Sequence, residues 1–107
     1  MLKKNYEFRR VLSKGQYYSG TCIEAFVLNS KGNYLGLAIN TKIGKAFQRN
    51  KIKRLIREGY RYYENKTRDG FSIVFLWKKK KEAKNTNFFE IKNDIKNIMD
   101  KANLMVV

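Results

Sequence analysis

The segment Lys45-Ala-Phe-Gln-Arg-Asn-Lys-Ile-Lys-Arg-Leu-Ile-Arg-Glu-Gly-Tyr-Arg61 carries seven basic residues and one acid, Glu58. At roughly 100° per residue, an α-helix sets Arg49, Lys53, Arg57 and Arg61 along one face at i, i+4 steps, with Asn50 and Arg54 on the same half. Ile52, Leu55, Ile56, Gly59 and Tyr63 fall on the other half. Such a segment can join a fold in one orientation only, apolar half on a core and basic half outward. Like charges at i, i+4 destabilise a helix by a few tenths of a kcal/mol per pair. Three such pairs are stacked here, with Glu58 the one acid nearby. A helix shaped by stability alone would interleave acids. A fork-bearing ridge of unbroken positive sign suits phosphate oxygens spaced along a nucleic-acid backbone.

The rest of the chain leans the same way. Its 107 residues suffice for one domain, 1–107, with a single modest core. Lys and Arg number 24 against 9 Asp and Glu, a net charge of +15. Self-repulsion on that scale opposes compaction, and polyanion binding is the usual reason to tolerate it. Histidine is absent, so Ser-His, Cys-His and His-metal arrangements are ruled out. The lone cysteine, Cys22, can neither close an intrachain disulfide nor build a cysteine zinc site. No apolar run approaches the roughly 20 residues of a membrane helix, and the start has no signal-peptide core. A cytoplasmic protein is expected.

The breaks at Gly15, Asn29–Asn33, Asp69-Gly70 and Lys78–Thr86 separate segments of readable period. Asn5–Lys14 predicts a helix capped by Asn5, with Phe8, Val11 and Leu12 on one face and Gly15 as a left-handed stop. Thr21–Leu28 predicts a strand, and Tyr34–Ile39 its hairpin partner. Ile23, Ala25 and Val27 with Leu35, Leu37 and Ile39 make an aliphatic core face. Cys22, Glu24, Phe26 and Leu28 with Tyr34, Gly36 and Ala38 make the opposite face, which a ligand could approach. Phe71–Trp77, apolar throughout except Ser72, predicts a central strand covered on both sides. Asn87–Ala102 has helical spacing and a capping box of Asn87 and Glu90. Cys22, Trp77 and Met99 read as core residues, and Lys78–Lys81 as a flexible basic loop. The expected fold is an α+β sandwich in the order α-β-β-α-β-α, helices against a small mixed sheet.

Leu35-Gly-Leu-Ala-Ile-Asn-Thr-Lys-Ile-Gly-Lys-Ala-Phe-Gln-Arg-Asn-Lys-Ile-Lys-Arg-Leu-Ile-Arg-Glu58 resembles the protein subunit of bacterial ribonuclease P. Ile43-Gly44, Arg49-Asn50, Lys53-Arg54-Leu55 and Arg57-Glu58 stand in register with that family's strand, turn and Arg-Asn-Arg helix. Leu2-Lys-Lys, Phe8-Arg-Arg-Val-Leu12 and Gly15 add an N-terminal match. Three positions depart from the pattern. Lys51 replaces the third member of Arg-Asn-Arg, Asn40-Thr41-Lys42 replaces Ser-Lys-Lys, and Leu12 stands where a second aromatic is common.

The resemblance implies a two-layer sandwich with a left-handed βαβ crossover, similar to the second domain of the fifth small-subunit ribosomal protein. It implies that the RNA subunit, with bound magnesium, removes the 5′ leader of precursor tRNA, while the protein binds that RNA and the leader. No catalytic residue, metal or cofactor falls to the protein, and no membrane or obligate protein partner is expected. Arg49, Asn50, Lys51 and Arg54 match the motif facing the RNA subunit; Phe8, Phe26, Lys42, Lys53 and Arg57 match the leader cleft. A ribosomal or other structured-RNA-binding module without a part in cleavage shares the charge, size and basic helix. A DNA reader lacks base-reading positions on this helix, and a stand-alone nuclease lacks His and clustered acids.

Overall fold

A computed structural model describes residues 2–30, 34–67, 70–78 and 87–105 of the chain. The elements run α1 (Leu2–Lys14), β1 (Gln16–Ser19), β2 (Ile23–Asn29), β3 (Tyr34–Ala38), α2 (Ala46–Glu64), β4 (Phe71–Trp77) and α3 (Phe88–Lys101). The four strands form one sheet in the order β1-β2-β4-β3. β4 pairs antiparallel with β2 and parallel with β3, so β3, α2 and β4 form a βαβ crossover. The α+β class, the mixed sheet and the central place of Phe71–Trp77 are as the sequence predicts.

Four details differ. Tyr34–Ala38 is not a hairpin partner of β2: β4, apolar on both faces, takes the central place, and β3 goes to the edge. The short strand β1 is additional, since four residues between Gly15 and Gly20 are too few for alternation to register. The first helix starts at Leu2, so Asn5 lies inside it and does not cap it. Gly15 also ends that helix for a different reason than a left-handed turn. Among the described glycines, positive φ is confined to Gly44 and Gly70, whereas a Cβ at Gly15 would stand 2.5 Å from the Val11 carbonyl oxygen. The Lys78–Lys81 loop lies outside the described residues beyond Lys78.

Alternation in β2 and β4 sends Ile23, Ala25, Val27, Ile73, Phe75 and Trp77 to one side of the sheet. There they join Ile52, Leu55, Ile56 and Tyr63 of α2 and Ile91, Ile95, Ile98 and Met99 of α3 in one buried cluster with Cys22. The helices meet closely at Gly59, where a Cβ would lie 2.7 Å from Ile95 Cδ1. Asn87 caps α3, its Oδ1 accepting from the Glu90 amide at 3.0 Å. Asp94, 3% exposed, ties this helix to the sheet. Its carboxylate accepts from the amides of Thr21 (2.9 Å), Ile23 (3.1 Å) and Cys22. The helix α1 lies on the other side of the sheet. Val11 is fully buried there, and Ser72 of β4 donates to Glu7 at 3.5 Å.

Candidate nucleic-acid interface

The register places Tyr17, Phe26, Val74 and Gly36 side by side across the four strands, on the α1 face. Tyr17 and Phe26 rings stand 5.3 Å apart at 58°. At the other end of the row, a Cβ on Gly36 would meet Val74 at 3.1 Å, the Tyr34 ring at 3.1 Å and the Phe8 ring at 3.2 Å. Glycine is therefore what lets Phe8 of α1 lie down on the sheet. Phe8 and Phe26 remain half-buried and Tyr17 is 47% exposed, so α1 covers this face only in part. The Tyr17 hydroxyl donates to the Glu24 carboxylate, and that bond holds its pKa above the usual phenol value. Burial, with the nearby Glu7 carboxylate, raises that of Tyr34. Both phenols stay neutral at physiological pH, and their rings are available to stack.

The loop from β3 to α2 is built tightly. Asn40 Oδ1 accepts from the Lys42 amide at 2.9 Å, a side-chain-closed turn, and Ile43 enters the core. Gly44 adopts φ 61°, a conformation that L side chains rarely take. Gln48 Oε1 accepts from the Lys45 amide at 2.8 Å and closes the start of α2. Arg49 reaches back over the loop. Its Nη1 donates to the carbonyl oxygens of Thr41 (2.9 Å) and Gly44 (2.8 Å), with that of Ile43 at 3.5 Å. Lys42, carried on this loop, is exposed.

The basic residues of α2 divide between two flanks. Arg57 shares a cleft with Tyr34 and Leu35 of the edge strand, and one and two turns earlier Lys53 and Arg49 follow the same flank. Lys51 falls with Tyr62 on the opposite flank, where the Lys92 ammonium of α3 lies 3.5 Å from the Tyr62 ring centroid. Asn50 and Arg54 are exposed on the outward side between them, Arg54 at 3.9 Å from Glu58. The structure thus joins Phe8 and Phe26 on one sheet face, and Lys42, Lys53 and Arg57 beside the β3 edge. Arg49, Asn50, Lys51 and Arg54 fan around the helix. Tyr17 and Tyr34 belong to the aromatic face and were missed as site residues. The alternation of Tyr34 with Gly36 carries the signal for Tyr34, whereas the four residues of β1 are too few to carry one for Tyr17.

A Ribonuclease P family model matches residues 1–103. The chain belongs to the ribonuclease P protein family. A ribonuclease P protein component from Clostridium kluyveri is 38% identical over 107 residues, covering 96% of this chain and 94% of that one. The ribonuclease P protein of Thermotoga maritima, solved with 1-(4-fluorophenyl)-2-thiourea, superposes with a TM-score of 0.83 at 25% identity, over 94% of this chain and 98% of the other. That of Staphylococcus aureus gives 0.81 at 26% identity, over 94% and 93%. Family membership connects the chain to tRNA processing and implies association with the ribonuclease P RNA. Among the described residues, no helix is long and apolar enough to cross a membrane.

Proposed function

We propose that this chain is the cytoplasmic protein subunit of ribonuclease P that binds the catalytic RNA and holds the 5′ leader of precursor tRNA. The observation that carries the reading is the half-covered aromatic row, Tyr17 through Phe26 to Gly36 and Phe8, lying around the β3 edge from a cationic helix flank. Unpaired bases stack on such rings for roughly 1–3 kcal/mol each, whatever the base. Lys42, Lys53 and Arg57 neutralise the leader's phosphates; Arg49, Asn50, Lys51 and Arg54 face the RNA subunit. Sequence-tolerant stacking suits leaders that differ among tRNAs.

Magnesium belongs to the RNA subunit in this reading and supplies the hydrolytic chemistry there. The protein's part is positioning and charge neutralisation. Phe26→Ala tests it directly: affinity for leader-bearing precursor tRNA should fall by roughly 1–3 kcal/mol, with mature tRNA binding unchanged. Equal loss for both RNAs would contradict a leader contact at Phe26.

A further inference from the structure

A cleft of about 240 Å³ opens at the β3 edge, lined by Tyr34, Leu35, Arg57, Tyr60, Arg61 and Glu64. Successive residues of a strand point to opposite faces, so Tyr34 and Leu35 wrap this cleft around the edge. Tyr34 also touches the position above Gly36 where Phe8 lies. The cleft therefore continues the aromatic face over the rim of the sheet. Its back wall is firm, for Tyr60 packs edge-on against the buried Phe75 with centroids 6.1 Å apart.

The chemistry of the lining is specific in kind. Arg57 and Arg61 are exposed one turn apart, and no carboxylate among the described residues lies within ion-pair distance of either. Arg57 and Arg61 offer forked donors for a phosphate diester. The Tyr34 and Tyr60 rings with Leu35 offer an apolar surface for a flat base. Glu64, at the same mouth, offers an acceptor for an exocyclic amine. A bare phosphate would not need the rings, and an apolar ligand would not need the arginines.

We infer that this cleft is a subsite for one unpaired nucleotide, its phosphate on Arg57 and Arg61 and its base between Tyr34 and Tyr60. Continuity with Phe8 and Gly36 assigns that nucleotide to the precursor tRNA leader as it crosses the edge of the sheet. The inference rests on the leader-binding reading above and extends it beyond the sheet face. Arg61, exposed and remote from the core, carries the test without threatening the fold.

The experiment measures affinity of holoenzymes, assembled with a bacterial ribonuclease P RNA, for precursor tRNA with a long leader, with a truncated leader, and for mature tRNA. Arg61→Ala, Arg61→Lys and Phe26→Ala are compared with wild type. Loss of a charged hydrogen-bonding contact predicts about a tenfold weakening for the long leader with Arg61→Ala. Partial recovery is expected with Arg61→Lys, and no change for mature tRNA. Weakening of all three RNAs alike, or weakened assembly with the RNA subunit alone, would overturn the leader assignment and place Arg61 against the RNA subunit. No change for any RNA would overturn the subsite. Phe26→Ala separates the two claims. If it weakens only leader-bearing RNA while Arg61→Ala does nothing, the subsite fails and the leader reading stands. If neither variant discriminates by leader, the leader reading itself fails.

Discussion

Arg49 and Arg54 belong to one motif and one helix, yet their surroundings assign them different work. The guanidinium of Arg49 bridges the carbonyl oxygens of Thr41 and Gly44, whereas Arg54 is exposed beside Glu58 with only a 3.9 Å approach. Exposed pairs of that kind contribute little, so Arg54 is available to a phosphate. Arg54→Ala should lower the salt slope of RNA-subunit binding by about one and leave the melting temperature unchanged. Arg49→Ala should lower the slope similarly and also lower the melting temperature, because the Asn40–Gly44 loop loses its clamp. Titrations across salt, paired with thermal melts of the free protein, check both. An unchanged slope for both variants would contradict RNA contact on this face. The motif was legible in the sequence as a run of cations at helical spacing. That one of them turns back onto the preceding loop was not, because the contact depends on Gly44 adopting a left-handed φ.

Among the elements, the tie between α3 and the start of β2 rests on Asp94. Its carboxylate serves the buried amides of Cys22 and Ile23 and the part-buried amide of Thr21, and Gly20 leaves it room, since a Cβ there would lie 2.9 Å from Asp94 Cγ. Asp94→Ala would leave buried donors unpaired at roughly 1–3 kcal/mol each. A loss of about 3 kcal/mol or more in denaturant unfolding is expected, and a loss under 1 kcal/mol would contradict the tie. Periodicity identified α2, α3 and the central strand because each has a continuous apolar stripe or run to count. It misassigned β3 because alternation says which face a residue takes and nothing about which neighbour a strand chooses. The preference of Phe71–Trp77 for burial on both faces already reserved the middle of the sheet. Recognising that this strand outcompetes a local hairpin would have moved β3 to the edge. The face carrying Phe26 was nonetheless read in the right sense, since alternation within β2 does not depend on its partner. Tyr17 was lost with β1, whose four residues are too short to declare a period.

At the scale of the molecule, the fold solves two problems with opposite surfaces. One side of the sheet is closed by α2 and α3 into a single apolar cluster, which is what a chain of +15 needs to stay folded. The other side is closed only partly by α1, leaving aromatic rings reachable beside a cationic rim. Charge draws in any polyanion; the rings favour one with unpaired bases. Both together fit a substrate with a single-stranded leader joined to a folded RNA. The most direct measurement is cleavage of a 5′-leader precursor tRNA by a bacterial ribonuclease P RNA, at low magnesium and near-physiological salt, with and without this protein. The account predicts cleavage at the mature 5′ end that requires both components. No stimulation by folded, RNA-binding protein would contradict it and make the chain a structured-RNA-binding module with no part in leader removal.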